Sequence, residues 1–463
     1  RRSSDLFVLS RYFPTYTGKK VFFGAVMSKK YFFRGTLLLT AAGILSRILG
    51  FFYRIFLSHT VGAEGIGLYQ LVLPLQSLVL SLTAAGIQAA LSRLVSSMLA
   101  LGERQKARGC FLTGTVISTG FSAITGFILY KCADFFAVEI LKEASAAPLI
   151  RILCFSFPFA ALHACVNSYC MADKKPGFPA ATQLVEQLVR IGSSWLIFQI
   201  LLSGNLPVTA SVAAAGGLVS ELFAALISLI FISCMFQGNF FSSLHKISLA
   251  ETLGDISVTA LPMTVNRLFL TLLSAIEAVL LPQRLRIYGL TQPESLAVYG
   301  IFTGMALPLI LFPSTVTNSA SAMLMPSVAE MQALGNHRRI RYVTRYTVNF
   351  CILLGVFSTA AFFIFGPFLG SFLFHSITAG TYIRAMAFIC PFLYMNTALS
   401  GILHGLGRTR TCLLHSSLGI LLRISFVLFT IPSVGIRGYF YGILFSEILV
   451  SILHIYALYR IKP

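Results

Sequence analysis

The chain has 463 residues, of which 56% are hydrophobic and 11% charged, where a water-soluble domain carries about 25% charged residues. That balance excludes an ordinary soluble enzyme and a disordered chain, and defines a polytopic membrane protein. The net charge of +20 suggests nucleic acid at first sight, but the basic residues gather in short loops between apolar runs, as cytoplasmic loops of membrane proteins do, so no nucleic-acid partner is read from it.

Residues 1–26 stand before Met27 and read as an N-terminal extension, either non-native or disordered, or a native basic arm. Their apolar run VFFGAV is too short to span a bilayer. A hydrocarbon core of about 30 Å needs about 20 helical residues. That rule predicts twelve spans, at 33–57, 66–98, 109–130, 147–171, 178–202 and 208–234, then at 256–282, 299–328, 343–366, 382–405, 412–431 and 435–459. The fold class is therefore all-α, with a six-helix lobe over 27–235, a linker over 236–255 and a second six-helix lobe over 256–463.

The halves repeat. IRILCFSFPF at 150–159 matches IRAMAFICPF at 383–392, a shift of 233 that also carries Arg190-Ile191 onto Arg423-Ile424. A shift of 230 carries Glu64 and Tyr69 onto Glu294 and Tyr299, and one of 226 carries Ser220-Glu221 onto Ser446-Glu447. Six spans per unit is an even number, so the repeats run parallel, and the substrate cleft is expected at their interface. One set of loops holds 17 basic residues, including Arg104, Lys106, Arg108, Arg338 and Arg339, against five on the other side. That bias puts both termini in the cytoplasm of a cell bounded by this membrane.

Nine cysteines follow no CxxC or Cys/His ligand spacing, so neither a disulfide nor a metal nor any other cofactor is inferred. No GxxxxGK[ST] loop is present, which leaves a secondary process, driven by a coupling ion or by the membrane potential, rather than an intrinsic ATPase. The longest connection on the less basic side, KCADFFAVEILKEASAAP at 131–148, is the one place for the acidic catalysis of a membrane-embedded glycosyltransferase, and it is modest.

The charges inside the spans carry the most information. Arg47 and Arg54 lie in an apolar run, seven residues apart and so on one helix face, about 10 Å from each other. A guanidinium cannot be neutralised, and at a helix centre it costs about 2.5–3.5 kcal/mol on the insertion scale. The two arginines either pair with neighbouring helices or face a cleft where they hold an anionic head group. Glu277 is read as facing Arg47 from the second lobe, with Arg267 and Arg284 adding to the same cleft. Arg190 with Glu221, and Arg423 with Glu447, are read as repeated buried structural pairs near mid-bilayer. Glu186 and Arg190 also stand at the i, i+4 spacing of a helix-face pair.

RILGFFYR at 47–54, followed by GAEGIGLYQ at 62–70, resembles the start of the polysaccharide-biosynthesis flippases. VYGIFTGMALPLILFPSTVTNSASAMLMPSVAE at 298–330 resembles the stage V sporulation protein B branch of that family. The resemblance implies two six-helix lobes in a V, alternating access, and a plasma-membrane flippase of lipid-linked oligosaccharide or peptidoglycan and spore-cortex precursors. Its substrate would be a sugar on a polyprenyl pyrophosphate, whose phosphates suit the guanidinium fork. The alternative within the same superfamily is a cation-coupled multidrug antiporter. That reading needs a carboxylate in the first lobe, for which Glu186 and Glu221 are available.

Overall fold

The computed structural model describes residues 29–236 and 249–460; the extension 1–26 and the linker residues 237–248 lie outside the described residues. Every regular element among those described is a helix. The first six are α1 (Lys29–Thr60), α2 (Gly62–Ala100), α3 (Arg104–Lys131), the bent pair α4a and α4b (Ala144–Cys154 and Phe157–Ala172), α5 (Gly177–Ser203) and α6 (Ser211–Phe236). The second six are α7 (Leu249–Ile287), the broken pair α8a and α8b (Gln292–Ile310 and Ser314–Ala333), α9 (His337–Phe374), α10 (Ile377–Gly405), α11 (Thr409–Phe429) and α12 (Ile436–Tyr459). All twelve expected spans fall on these helices. Because α7 begins at Leu249, residues 249–255, read from the sequence as linker, are helical.

The interruptions repeat with the sequence. α4a and α4b meet at 47°, and Pro158 sits in the first turn of α4b, where its missing N–H costs no helix bond. In α10 a tight 3-10 turn at Ala387–Ile389 precedes a segment with Pro391 in its first turn. The two matched segments therefore interrupt equivalent helices at the same place, with the measured 47° bend in the first lobe. α2 carries one wide turn at Ser81–Ala85, and the 230-residue shift lands on the gap between Ile310 and Ser314 that breaks α8 at Pro313. Wide turns of this kind loosen the backbone ladder inside a helix and often sit at functional sites.

The core is divided in a way that positions the cleft. One apolar cluster joins both lobes at the end away from the basic loops, from Tyr53, Leu57 and Leu71 through Leu281, Leu296 and Phe302 to Ile383 and Tyr439. At the basic end there are two separate clusters. The first contains Leu91, Phe111, Cys165 and Phe236 with Ile256 and Ala260 of α7; the second contains Val328, Cys351, Leu399, Leu403 and Leu458. The lobes are thus fused at one end and, apart from α7, which packs on the first lobe there as well, parted at the other. At the fused end α2 and α8a cross backbone to backbone. A Cβ on Gly67 would lie 2.0 Å from the carbonyl oxygen of Leu296, and one on Gly300 would lie 2.1 Å from that of Ala63. Only glycine permits that approach, as small residues do at membrane-helix crossings generally.

Candidate functional site

Between the lobes runs a chain of polar compartments. The first, of about 370 Å³, lies between α1, α5 and the break in α8, and is lined by Ser46, Arg47, Arg54, Gln187, Ser314 and Asn318 among others. The next, of about 350 Å³, shares Arg54 and adds Gln70, Ser77, Thr271, Ser274 and Thr303. A third, of about 300 Å³, shares Ser77 and Thr271 and ends on Arg267, with Gln88 and Ser81 beside it. A side pocket of about 160 Å³ runs from Arg54 past Tyr53 and Tyr69 to Arg190.

The arginines arrive there for local reasons. α1 buries Tyr53 and Leu57 against the first lobe, and Tyr53 is fixed by a 3.0 Å hydroxyl contact with Ser194 of α5. Burying that face turns Arg47 and Arg54 to the interlobe side. Arg47 Nη1 donates across the cleft to Thr315 Oγ1 at 3.1 Å, just past the break in α8. A second interlobe contact joins Ser81 Oγ, in the wide turn of α2, to Thr271 Oγ1 of α7 at 3.1 Å. Among the described residues, no carboxylate stands within ion-pairing distance of Arg47, Arg54 or Arg267. Three fixed cations in an apolar slab without counter-ions present a positive potential to whatever enters.

Other sequence expectations need correction. Glu277 does not face Arg47. It is 5% exposed and buried inside the second lobe, where Arg423 Nε and Nη2 donate to its two oxygens at 2.7 and 3.2 Å and Tyr439 Oη donates at 2.8 Å. The repeat placed Glu277 at the depth of Arg47, but equal depth does not fix the direction around the helix axis. Arg284 is in the last turn of α7, outside the four compartments. Arg190 is not ion-paired to Glu221: its guanidinium binds Glu186 one turn back on α5, and its Nε donates to Ser220 Oγ at 3.3 Å. Short reach along one helix wins over the longer reach to α6. In the second lobe Gly419 occupies the position matching Glu186. Arg423 therefore turns to Glu277 on α7, and Glu447 lies 3.5 Å from its other nitrogen.

Several polar residues escaped the sequence reading. Asn396 donates to Glu447 Oε2 at 2.7 Å and accepts from Ser451 at 2.8 Å. An asparagine in an apolar span was a visible signal for a buried network. Thr315, Asn318, Gln187 and Thr271 gave no such signal, because neutral polar residues are common in membrane helices.

Two parallel six-helix repeats around a polar interlobe cleft define a membrane transporter. A model of the polysaccharide biosynthesis protein family matches residues 32–332, and the chain belongs to that family. A MatE model matches residues 262–429. The chain is 28% identical over 446 residues to stage V sporulation protein B of Bacillus subtilis (strain 168), covering 94% of this chain and 85% of that protein. It is 23% identical to lipid II flippase MurJ of the same organism, covering 84% of this chain and 76% of that protein. Among solved structures, it resembles the inward-facing conformation of a multidrug resistance MATE family transporter of the MOP superfamily. The TM-score is 0.69 at 15% identity, over 90% of this chain and 96% of that one. A MOP superfamily transporter from Pyrococcus furiosus gives a TM-score of 0.62 at 15% identity, over 93% of this chain and 95% of that one. These structural likenesses establish the fold.

Proposed function

We propose that this protein is a flippase that moves a lipid-linked oligosaccharide, or a peptidoglycan or spore-cortex precursor, across the cytoplasmic membrane by alternating access. The observation that carries the reading is the cleft's unpaired cationic face, Arg47 and Arg54 on one helix with Arg267 opposite. A pyrophosphate linking a sugar to a polyprenyl tail offers oxygens to the guanidinium forks, while the tail stays in the bilayer. The hydroxyl and amide side chains between Arg54 and Arg267 suit a neutral glycan. With both termini cytoplasmic, as the excess of 17 basic residues over five argues, the parted end of the lobes opens to the cytoplasm, where such precursors are made. The names of the relatives, stage V sporulation protein B and lipid II flippase MurJ, support the same class of substrate.

The process involves no bond-making by the chain. The carboxylates of the long connection are each engaged: Asp134 with Arg151 at 2.6 Å, Glu139 with Lys142 at 2.9 Å, and Glu143 with Gln292 at 2.6 Å. None of them lines the interlobe compartments. The driving force is a coupling ion or the membrane potential. The alternative, a multidrug antiporter, draws on the likeness of fold to MATE transporters, and on Glu186 and Glu221 in the first lobe. Against it, a cleft lined by three unpaired arginines repels cationic drugs. Competition binding to purified protein tests the choice. A polyprenyl-pyrophosphate sugar should displace a fluorescent anionic lipid probe while a cationic drug panel does not; displacement by the drugs alone would reject the flippase reading.

A further inference from the structure

The two lobes differ at the connection between their third and fourth helices. In the second lobe α9 ends at Phe374 and α10 starts at Ile377. In the first, α3 ends at Lys131 and the helical turn leading into α4 starts at Ala144. The extra chain is not a loose loop. It folds into a short helical turn and a wide turn over Phe136–Ile140, then reverses at Lys142 in the left-handed region, φ 53°. The reversal turns residues 140–143 toward the corner between α7 and α8a, across the lobe boundary. There Gln283 Nε2 donates to the carbonyl oxygen of Ile140 at 3.2 Å, and Arg286 Nη2 to that of Lys142 at 3.1 Å. Gln292 Nε2 donates to Glu143 Oε2 at 2.6 Å. Glu143 is 2% exposed, and its other oxygen accepts from the backbone N–H of Ser145 at 3.3 Å. All three donors that cross the boundary belong to the second lobe. At the same end the rings of His59, closing α1, and His375, following α9, stand 4.6 Å apart.

We infer that residues 139–146 form a strap that fastens the two lobes at their fused end, and that the Glu143–Gln292 contact is its clasp. The inference rests on the alternating-access reading above, because a strap has a function only if that end must open. A buried carboxylate held by a neutral amide is a charge-assisted bond, stronger than an ordinary one. Leu141 and Ala146 of the strap belong to the apolar core that joins the lobes, but Gln292 is exposed, so water can replace its side of the contact once the lobes begin to part. Such a contact sets a threshold for opening without welding the lobes. The strap belongs to the first lobe alone, so the repeat did not require it.

The test exchanges the two partners. Gln292→Glu, at an exposed position, sets a second carboxylate against Glu143; Gln292→Glu combined with Glu143→Gln restores a carboxylate–amide pair with its polarity reversed. Amide hydrogen exchange is followed by mass spectrometry on the full chain in nanodiscs, without substrate. In the single variant, exchange should rise about tenfold, equivalent to 1.4 kcal/mol. The rise should cover residues 136–146 and also the boundary segments 57–66 and 300–304. The double variant should return both to within about twofold of wild type. The inference is overturned if the single variant changes only residues 136–146, if it changes nothing, or if the exchanged pair fails to restore protection. Because no substrate is present, these outcomes do not depend on which molecule is moved. Failure of the flippase reading would instead appear as failure of the competition assay above.

Discussion

Replacing Arg423 by Leu probes the polar network inside the second lobe. The Arg423 side chain is 20% exposed and stands between the side chains of Glu277, 7% exposed, and Glu447, 13% exposed. Leucine fills much of the space but strands two buried carboxylates. Each keeps one neutral donor, from Tyr439 and from Asn396 respectively, and neither keeps a counter-charge. Breaking a buried ion pair by removing one partner costs about 3–5 kcal/mol, and two stranded acids put this site at the upper end. Glu277→Gln should cost only about 1–3 kcal/mol, because Arg423 retains Glu447 and the amide can still accept from Tyr439. Removing both, as Arg423→Leu with Glu277→Leu, should cost less than the sum of the single leucine substitutions, since the second change removes an acid already stranded. Reversible unfolding of the detergent-solubilised protein, followed by tryptophan fluorescence or circular dichroism, measures all of these. A loss below about 1 kcal/mol for Arg423→Leu would refute the reasoning. So would strict additivity of the pair, because either would mean that water or lipid already serves these acids.

Two further expectations concern the cleft and the crossing. Arg267→Ala should leave unfolding unchanged, since Arg267 holds no acid partner among the described residues. It should weaken binding of an anionic glycolipid by about tenfold or more, the loss of one charge-assisted contact worth about 1.5–3 kcal/mol, as read by titration calorimetry. Gly300→Val should destabilise by at least the 1–3 kcal/mol typical of overpacking, because its side chain would begin 2.1 Å from a backbone oxygen; Gly43→Ala, with nothing within 4 Å of its Cβ, serves as the control and should be neutral in the same unfolding assay.

The helices were legible in the sequence because bilayer thickness imposes a length on every span and the apolar runs meet it. The repeat was legible because IRILCFSFPF and IRAMAFICPF preserve a proline-marked helix restart. For Arg47 and Arg54, seven residues apart in an apolar helix, cost alone required either partners on neighbouring helices or a polar cleft, and the structure places both side chains on the interlobe compartments. Partner choice was legible only in part: the i, i+4 pair of Glu186 with Arg190 and the approach of Arg423 to Glu447 were read and are present, but the partners of Glu277 and Glu221 were not. Depth along the membrane normal follows from sequence position, but the rotation of a helix is set by packing. Glu277 at the depth of Arg47 was therefore assigned to the wrong neighbour. Arg190 took Glu186 rather than Glu221 for a related reason, since a partner one turn away costs less side-chain entropy to hold than one on another helix. The strap was hidden because two of its three crossing bonds run from side chains to backbone carbonyls, a pattern that leaves no mark in residue types, and the third joins residues 149 positions apart.

The most direct test is transport itself. Purified protein in proteoliposomes would be given a fluorescent polyprenyl-pyrophosphate glycolipid on one leaflet, and its arrival on the other followed by dithionite quenching, for wild type, Arg47→Ala and Arg47→Lys. The account predicts movement by wild type above protein-free vesicles. It predicts a loss of about tenfold or more in Arg47→Ala with folding intact, and partial recovery in Arg47→Lys, which keeps the charge without the fork. Equal movement by wild type and Arg47→Ala would contradict it.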